Sequence, residues 1–160
     1  KGVEGMLQKL EGGKRHGWLS YTLSETRKYD SEGWYNPEYD LRHMLTLYIE
    51  QKLNKNRSII FSGQGRSGKY YTPLVQADDG SYSEAERYSE RLNPYIVIDL
   101  WYQNPLKVWR YEGVYRIGIA NLLNRKNEYA YQFNTDTNEP EIIYDFPQTR
   151  FLIMGFEIYF

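Results

Sequence analysis

The chain has 160 residues, a formal net charge of −1 and no cysteine, and this length suits one domain with its own core. Charges of both signs are interspersed, so the composition does not support binding to nucleic acid or to an anionic membrane surface. The mean hydropathy of −0.75 and the lack of a long apolar run exclude transmembrane helices. They leave a membrane β-barrel open, because lumen and loop residues dilute the average. Without cysteine, disulfides, thiolate metal sites and cysteine nucleophiles are excluded.

Side-chain alternation predicts an all-β fold, an antiparallel meander of about seven strands. Apolar residues recur with period two rather than 3.6, and β-branched and aromatic residues are abundant. Segments of roughly 9–11 residues are long enough to cross a bilayer as tilted strands. The predicted segments lie near 3–8, 17–26, 41–53, 58–66, 96–102, 108–122 and 150–160.

The last predicted segment has one uniformly apolar parity. Its even-numbered residues are Leu152, Met154, Phe156, Ile158 and Phe160. Side chains alternate across a strand, so one face is apolar while the other carries Glu157 and Tyr159. Such a strand, ending on an aromatic ring, is typical of a bacterial outer-membrane barrel, where lipid covers the apolar face. Phe156, Ile158 and Phe160 are therefore predicted to be the C-terminal signal that the outer-membrane assembly machinery reads.

The connections between the predicted strands alternate in length. Short turns are expected near 11–15, 54–56 and 103–105, and long polar connections near 27–40, 68–93 and 123–149. Outer-membrane barrels have short periplasmic turns and long extracellular loops. If the end of the last strand is periplasmic, every short turn falls on the periplasmic side.

The sequence favours no catalytic, cofactor or metal site, and we expect no enzyme activity. Residues 63–69 contain G-x-G-x-x-G, but Tyr70 stands where a P-loop needs Ser or Thr, and Pro73 would interrupt the helix that holds the phosphate. Residues 134–139 alternate oxygen donors, yet Glu139 occupies the sixth position, where a calcium loop needs glycine. The first segment is therefore interpreted as a strand end entering a loop, and the second as a solvated surface turn.

Charged residues on the inward-facing, water-exposed side of the predicted strands are expected to form ion pairs along that side rather than to perform chemistry. His43 lies on the apolar parity near the loop end of the third segment, so an interfacial position is expected for it. The charged set is Glu4, Glu50, Asp99, Arg110, Glu112, Arg116 and Glu157.

Seven stretches, in their order and spacing, resemble the C-terminal part of a TonB-dependent outer-membrane receptor of the kind common in Bacteroidetes. The resemblance covers almost the whole chain. The stretches are GVE at 2–4, GWLSYTLS at 17–24, YDLRH at 39–43, RSGKYYTP at 66–73, NPY at 93–95 with Asp99, NLLNRKN at 121–127 and GFEIYF at 155–160.

The resemblance implies that residues 1–160 are transmembrane strands of a 22-stranded barrel in the bacterial outer membrane, plugged by an N-terminal domain. The implied function is energy-coupled uptake of a scarce nutrient such as a siderophore, cobalamin, an oligosaccharide or a peptide. The implied partners are outer-membrane lipid, the rest of the barrel with its plug, the assembly machinery, and the TonB energy-coupling complex, which acts through an N-terminal part missing here. Seven strands with unpaired edges cannot sit in lipid, so a fragment or one piece of a larger assembly is expected.

Loop aromatics and one arginine are the expected substrate contacts, because rings stack on sugars or flat chelates and a guanidinium pairs with anions. These residues are Trp34, Tyr35, Arg66, Tyr70, Tyr71 and Tyr82.

Two other interpretations remain open at the level of sequence. One is a small self-contained barrel or adhesin with an eighth strand drawn from 127–146, an alternative supported by an extra hairpin at 129–133 and 142–144. The other is a soluble β-sandwich that binds carbohydrate, which the 17 tyrosines permit.

Overall fold

The computed structural model describes residues 1–10 and 12–159, and all regular structure there is β. No helix in this part of the chain is long and apolar enough to cross a membrane. The strands are β1 (Gly2–Lys9), β2 (Arg15–Ser24), β3 (Lys28–Asp30), β4 (Gly33–Tyr35), β5 (His43–Lys52), β6 (Ser58–Arg66), β7 (Tyr70–Tyr71), β8 (Leu74–Gln76), β9 (Tyr82–Glu84), β10 (Glu90–Arg91), β11 (Tyr95–Val108), β12 (Tyr111–Ala120), β13 (Glu128–Asn134), β14 (Glu139–Tyr144) and β15 (Phe151–Tyr159).

Seven long strands form one antiparallel meander in the order β1-β2-β5-β6-β11-β12-β15. Each strand pairs with the next long strand along the chain, as consecutive strands do in an up-and-down sheet. This arrangement confirms the prediction of an all-β fold with about seven antiparallel segments. The described sheet is open, since β1 and β15 each have a neighbour on one side only.

The short and long connections lie at opposite edges of the sheet. The chain turns at 53–57 between β5 and β6 and at 109–110 between β11 and β12, and both turns share an edge with the end of β15. The turn between β1 and β2 lies there too, although Glu11 within it is outside the described residues. The three long connections, 25–42, 67–94 and 121–150, leave from the opposite edge. The predicted segregation of turns from loops is therefore confirmed.

The turn predicted at 103–105 is wrong. β11 continues through Pro105 to Val108, and the chain reverses at Trp109 and Arg110 instead, with Trp109 at φ 56°. Pro105 lies in a part of β11 that pairs with β12 alone, where a missing backbone N–H is best tolerated. The sixth long strand is accordingly Tyr111–Ala120 rather than 108–122.

β11 joins two halves of the sheet that are displaced along the strand direction. Its residues 95–99 pair with β6, residues 104–108 pair with β12, and residues 100–103 pair with both. A sheet needs a register stagger of this kind to close into a barrel of tilted strands.

The long connections contain four small hairpins, β3–β4, β7–β10, β8–β9 and β13–β14. The last of these confirms the extra hairpin that the sequence suggested. It pairs only within itself and adds no eighth strand to the large sheet. This outcome removes the feature that supported a small self-contained barrel.

The described chain has almost no apolar interior. Ile60, Leu92 and Ala120 are its only buried hydrophobic residues, and its accessible surface is 11282 Å². A compact soluble protein of 19.1 kDa would expose about 8,400 Å². The excess is the surface of a single sheet that nothing covers, so a two-layer sandwich does not describe this fold.

Candidate functional site: a two-faced sheet under packed loops

The pairing register brings the apolar residues of all seven long strands onto one face. Leu19 pairs with Leu7 on one side and Leu47 on the other, and across the sheet Ile117 pairs with Met154. Because facing residues in antiparallel strands share a face, the apolar parity is continuous from β1 to β15. The face also carries Val3, Leu23, Leu45, Ile49, Ile59, Phe61, Ile96, Ile98, Leu100, Ile119, Leu152, Phe156 and Ile158.

This apolar face has no second layer in the described structure. Leu7 is 73% exposed, Met154 is 64% exposed and Phe156 is 77% exposed. Ile158 is partly buried between its neighbours, and Phe160 lies outside the described residues. Contiguous apolar patches of this size on a soluble monomer are rare and mark a surface that contacts another medium or protein.

The opposite face is mixed, with Ile60, Trp101 and Ile153 among polar and charged residues. Arg116 reaches Glu157 at 3.7 Å and donates from Nε to Oε1 of Gln103 at 2.8 Å. The hydroxyl of Tyr48 donates to Glu50 at 3.1 Å. Of the seven charged residues expected to pair, Arg116 and Glu157 are the two that contact each other in the described structure.

Two of the charged residues expected to pair along the wall have other roles. Asp99 accepts the backbone N–H of Asn121 and so ties the start of the third long loop to β11 at the long-loop edge of the sheet. Arg110 is not on the wall, since it lies in the two-residue turn and donates to Tyr111.

Amphipathic rings lie near both ends of the apolar face. At the long-loop edge Tyr21 Oη and His43 Nδ1 are 2.8 Å apart, which confirms the predicted position of His43 at the loop end of its strand. Toward the other edge, Asn104 donates to Tyr115 at 3.0 Å and accepts from Tyr102 at 3.4 Å. The polar tips of Tyr21 and His43 satisfy each other and those of Tyr102 and Tyr115 are satisfied by Asn104, while the ring bodies lie on the apolar side.

The loops above the sheet are held together by a buried ion pair. Asp40 is fully buried, accepts the backbone N–H of Thr26 at 2.7 Å and faces Arg91 at 3.0 Å. The Arg91 guanidinium also donates to the carbonyl of Gly68 and stacks 3.9 Å from the ring centre of Tyr70. One arginine therefore fixes the first and second long loops to each other.

A second arginine makes a similar junction nearer the surface. Arg87 binds Asp30 at 2.6 Å and lies 3.8 Å from the ring centre of Tyr35, which stacks on Tyr88. The guanidinium, and secondarily the backbone N–H of Glu32, hold the pKa of Asp30 below its ordinary value.

The third long loop is anchored by asparagines of the 121–127 stretch. Asn121 is buried, adopts φ 49° and donates from Nδ2 to the carbonyls of Arg125 and Pro147. Asn127 bonds both backbone groups of Ile96, beside the part of β11 that β12 does not reach. These side chains take the place of a missing strand neighbour, so they are structural.

The second and third loops enclose a cleft of about 390 Å³, named the loop cleft below. Tyr71 and Tyr131 lie side by side in its wall, with ring centres 4.5 Å apart. Its lining residues are Glu38, Lys69, Tyr70, Tyr71, Thr72, Leu74, Glu84, Tyr88, Leu92, Ala130, Tyr131, Gln132 and Phe133.

Tyr71 has the most perturbed acid–base behaviour in the cleft. Its hydroxyl donates to Glu90 at 2.5 Å. That hydrogen bond, followed by burial, raises the pKa of Tyr71 to about 12. The phenol is therefore a neutral donor whose ring is held in place, and not an acid that functions near neutral pH.

The loop cleft brings together part of the predicted contact set. Tyr70 and Tyr71 line it, Tyr82 packs its ring against Phe133, and Tyr35 reaches it through Tyr88. Tyr131 and Phe133 also line the cleft and were not in the predicted set, although their alternation had predicted the hairpin that carries them.

Two of the predicted contacts lie elsewhere. Trp34 packs at a tilt against Tyr29 in the exposed hairpin β3–β4, with ring centres 5.3 Å apart. Arg66 ends β6 and lies 4.4 Å from the ring centre of Tyr95.

The two motif-like segments are a strand end that enters a loop and a hairpin turn. Gly68 is followed by the short strand β7 rather than by a helix, so no helix N-terminus faces residues 63–69. Residues 134–139 include the turn of the β13–β14 hairpin, where Asn134 Oδ1 accepts the N–H groups of Asp136 and Thr137.

Comparisons with protein-family models, with curated proteins and with solved structures give no significant match to this chain. Its function is therefore inferred from the arrangement of its own residues.

Proposed function

We propose that the chain is the C-terminal part of an outer-membrane barrel of the TonB-dependent receptor type, with a role in nutrient uptake. Its seven long strands cross the membrane, and the remaining strands of a 22-stranded barrel pair with β1 and β15. The observation that carries the proposal is the apolar face, which is continuous over seven strands and uncovered, while the opposite face carries most of the charged residues of these strands. Lipid on one side and a wet lumen on the other suit that arrangement.

The open edges support the same proposal. Unpaired N–H and C=O groups in hydrocarbon cost several kcal/mol each, so strands in a membrane need neighbours on both sides. The stagger within β11 and the opposite placement of short turns and long loops are both features of barrels in the outer membrane. In this orientation the long loops face outward and the short turns face the periplasm.

The uptake role is supported by the packed loops above the lumen-facing side and by the resemblance of the stretches noted in the sequence. In the proposal, the polar face lines the wall around a plug domain, the loops capture the nutrient, and the TonB complex supplies energy through the N-terminal part. The nutrient would be a siderophore, cobalamin, an oligosaccharide or a peptide.

Matched arginine substitutions on β5 test the membrane assignment. Leu47 lies on the apolar face and pairs with Leu19 and Gly63, whereas its neighbour Thr46 lies on the polar face. An arginine facing the bilayer midplane costs about 2–4 kcal/mol. In the intact protein, Leu47→Arg should sharply reduce the folded, heat-modifiable band recovered from outer membranes, while Thr46→Arg should leave it.

Two outcomes would contradict the membrane assignment. One is equal recovery of both variants in folded form. The other is a wild-type protein that stays monomeric and soluble after detergent is removed.

A further inference from the structure

We infer that the loop cleft is a binding site for a neutral oligosaccharide. The inference rests on the proposed function and names the nutrient class that this end of the barrel would meet. The cleft lies between the second long loop and the hairpin β13–β14, on the loop side of the sheet, and its volume of about 390 Å³ is within the range of ligand pockets.

The wall of the cleft is aromatic and already rigid. The hydroxyl of Tyr71 is fixed by Glu90 at 2.5 Å, and that of Tyr131 accepts the backbone N–H of Leu74 at 3.2 Å. With their polar tips occupied, these residues present ring surface to the cleft, and Phe133 adds a ring without any polar tip. A pyranose has an apolar C–H face of the kind that stacks on such rings. Because the rings are ordered before the ligand arrives, little entropy is lost on binding.

The charge of the cleft argues against an anionic ligand. Lys69 is the one cation among the described lining residues, and Glu38 binds it at 3.0 Å while its ammonium lies 4.1 Å from the ring centre of Tyr129. An anionic chelate would meet a cation that is already neutralised. It would also face the carboxylate of Glu84, for which the described structure contains no hydrogen-bond partner.

A cationic ligand is disfavoured for a complementary reason. The ring of Tyr70 already carries the guanidinium of Arg91 at 3.9 Å, and the ring of Tyr129 carries Lys69. A further cation would have to displace one of these two side chains from its ring.

The rim of the cleft offers groups that recognise hydroxyls. Glu84 contributes an exposed carboxylate. Gln132 contributes a carboxamide whose Nε2 donates to Glu141 at 3.1 Å, and Thr72 contributes a hydroxyl that accepts the backbone N–H of Tyr88 at 3.1 Å. Carboxylates accept hydrogen bonds from sugar hydroxyls, and a carboxamide both donates and accepts. An aromatic wall with such a rim fits a ligand that is apolar on one face and hydroxylated at its edge.

The test is titration calorimetry on the intact protein, purified in detergent, with neutral hexasaccharides as probes: maltohexaose, cellohexaose, xylohexaose and mannohexaose. Ferric citrate serves as the anionic probe. Phe133→Ala removes a cleft ring, and Tyr144→Ala removes a similarly exposed ring at the other end of the same hairpin, the two residues being 37% and 38% exposed. Glu84→Gln removes the rim charge without changing its shape.

At least one neutral hexasaccharide should bind. Phe133→Ala should lower the affinity for that hexasaccharide about tenfold or more, and Glu84→Gln should lower it severalfold. Tyr144→Ala should leave the affinity unchanged. The inference is overturned if no hexasaccharide binds, if Phe133→Ala and Glu84→Gln both bind as tightly as the wild type, or if only ferric citrate binds. Heat-modifiability of the same samples reports the barrel separately, so a folded barrel without sugar binding rejects this inference and leaves the proposed function standing.

Discussion

The side chain of Asn127 replaces a strand neighbour for Ile96: its Oδ1 accepts the backbone N–H at 2.8 Å and its Nδ2 donates to the carbonyl at 2.9 Å. Asn127 is buried, so neither of these backbone groups can turn to water if the side chain is lost. This one carboxamide completes the hydrogen bonding of β11 where β12 has already ended.

Replacing Asn127 should therefore loosen the top of the sheet. Asn127→Asp keeps an acceptor but loses the donor to the Ile96 carbonyl, and a buried group without its partner costs about 1–3 kcal/mol. Urea unfolding of the intact protein in lipid vesicles measures the loss. Asn56→Asp, in the exposed turn at the opposite edge, should be neutral, and equal stability of the two variants would contradict the role assigned to Asn127.

Removing Arg91 should release the first two loops. Asp40 is fully buried, and a buried carboxylate stripped of its partner costs about 3–5 kcal/mol. We expect Arg91→Met to abolish the hydrogen-exchange protection of backbone amides in the second long loop, residues 67–94. Lys69→Met breaks an exposed pair with Glu38 that is worth about 0–1 kcal/mol, so it should change protection little.

Adding a methyl group at Gly68 should displace the second loop from the sheet. A Cβ there would lie 1.7 Å from the carbonyl oxygen of Leu92, which is far too close for two atoms that are not bonded. Gly68→Ala should cost about 1–3 kcal/mol or more, as overpacking does, and limited proteolysis should cut this loop faster than in the wild type. Gly13→Ala meets no atom within 4 Å and serves as the matched control.

The loop cleft should change at alkaline pH. The pKa of Tyr71 is raised from 10.0 to about 12, chiefly by the hydrogen bond to Glu90. The folded state favours the neutral phenol, so this contribution to stability is complete below pH 10 and is lost as the pH rises from about 10 to about 12.

The difference in phenolate absorbance between wild type and Tyr71→Phe isolates this titration. Its midpoint should lie near 12 in the wild type and should fall toward the ordinary value in Glu90→Gln, because the acceptor charge is gone. A midpoint that does not move in Glu90→Gln would contradict the assigned cause.

The sheet was predictable because its signal is local. Leu152, Met154 and Phe156 reveal a strand and its apolar side through period-two alternation alone, and the same holds for the other long strands. The turn was misplaced because Asn104 and Pro105 carry a strong turn signal, whereas Trp109 and Arg110 carry none. Pro105 is tolerated because this part of β11 pairs with β12 alone. The sequence does not show that the pairing with β6 stops at Gln103.

The loop cleft was only partly predictable because its contacts are distant in sequence. Arg91 and Asp40 are 51 residues apart, and Tyr131 and Leu74 are 57 apart. No spacing pattern in the chain indicates that these groups meet. Tyr70 and Tyr71 were predicted as loop aromatics, but the ring of Phe133 and the carboxylate of Glu84 entered only through tertiary packing.

Under the proposed function, the displacement of the two sheet halves along β11 bears on how thick a bilayer the strands can cross. A ten-residue strand is about 34 Å long, and standing upright it would overshoot an apolar band of about 25 Å and leave apolar residues at its ends exposed to water. Strands in a sheared cylinder lean by about 45°, which shortens the vertical reach to about 24 Å. The slant imposed by one offset strand thus matches ten-residue spans to a thin bilayer.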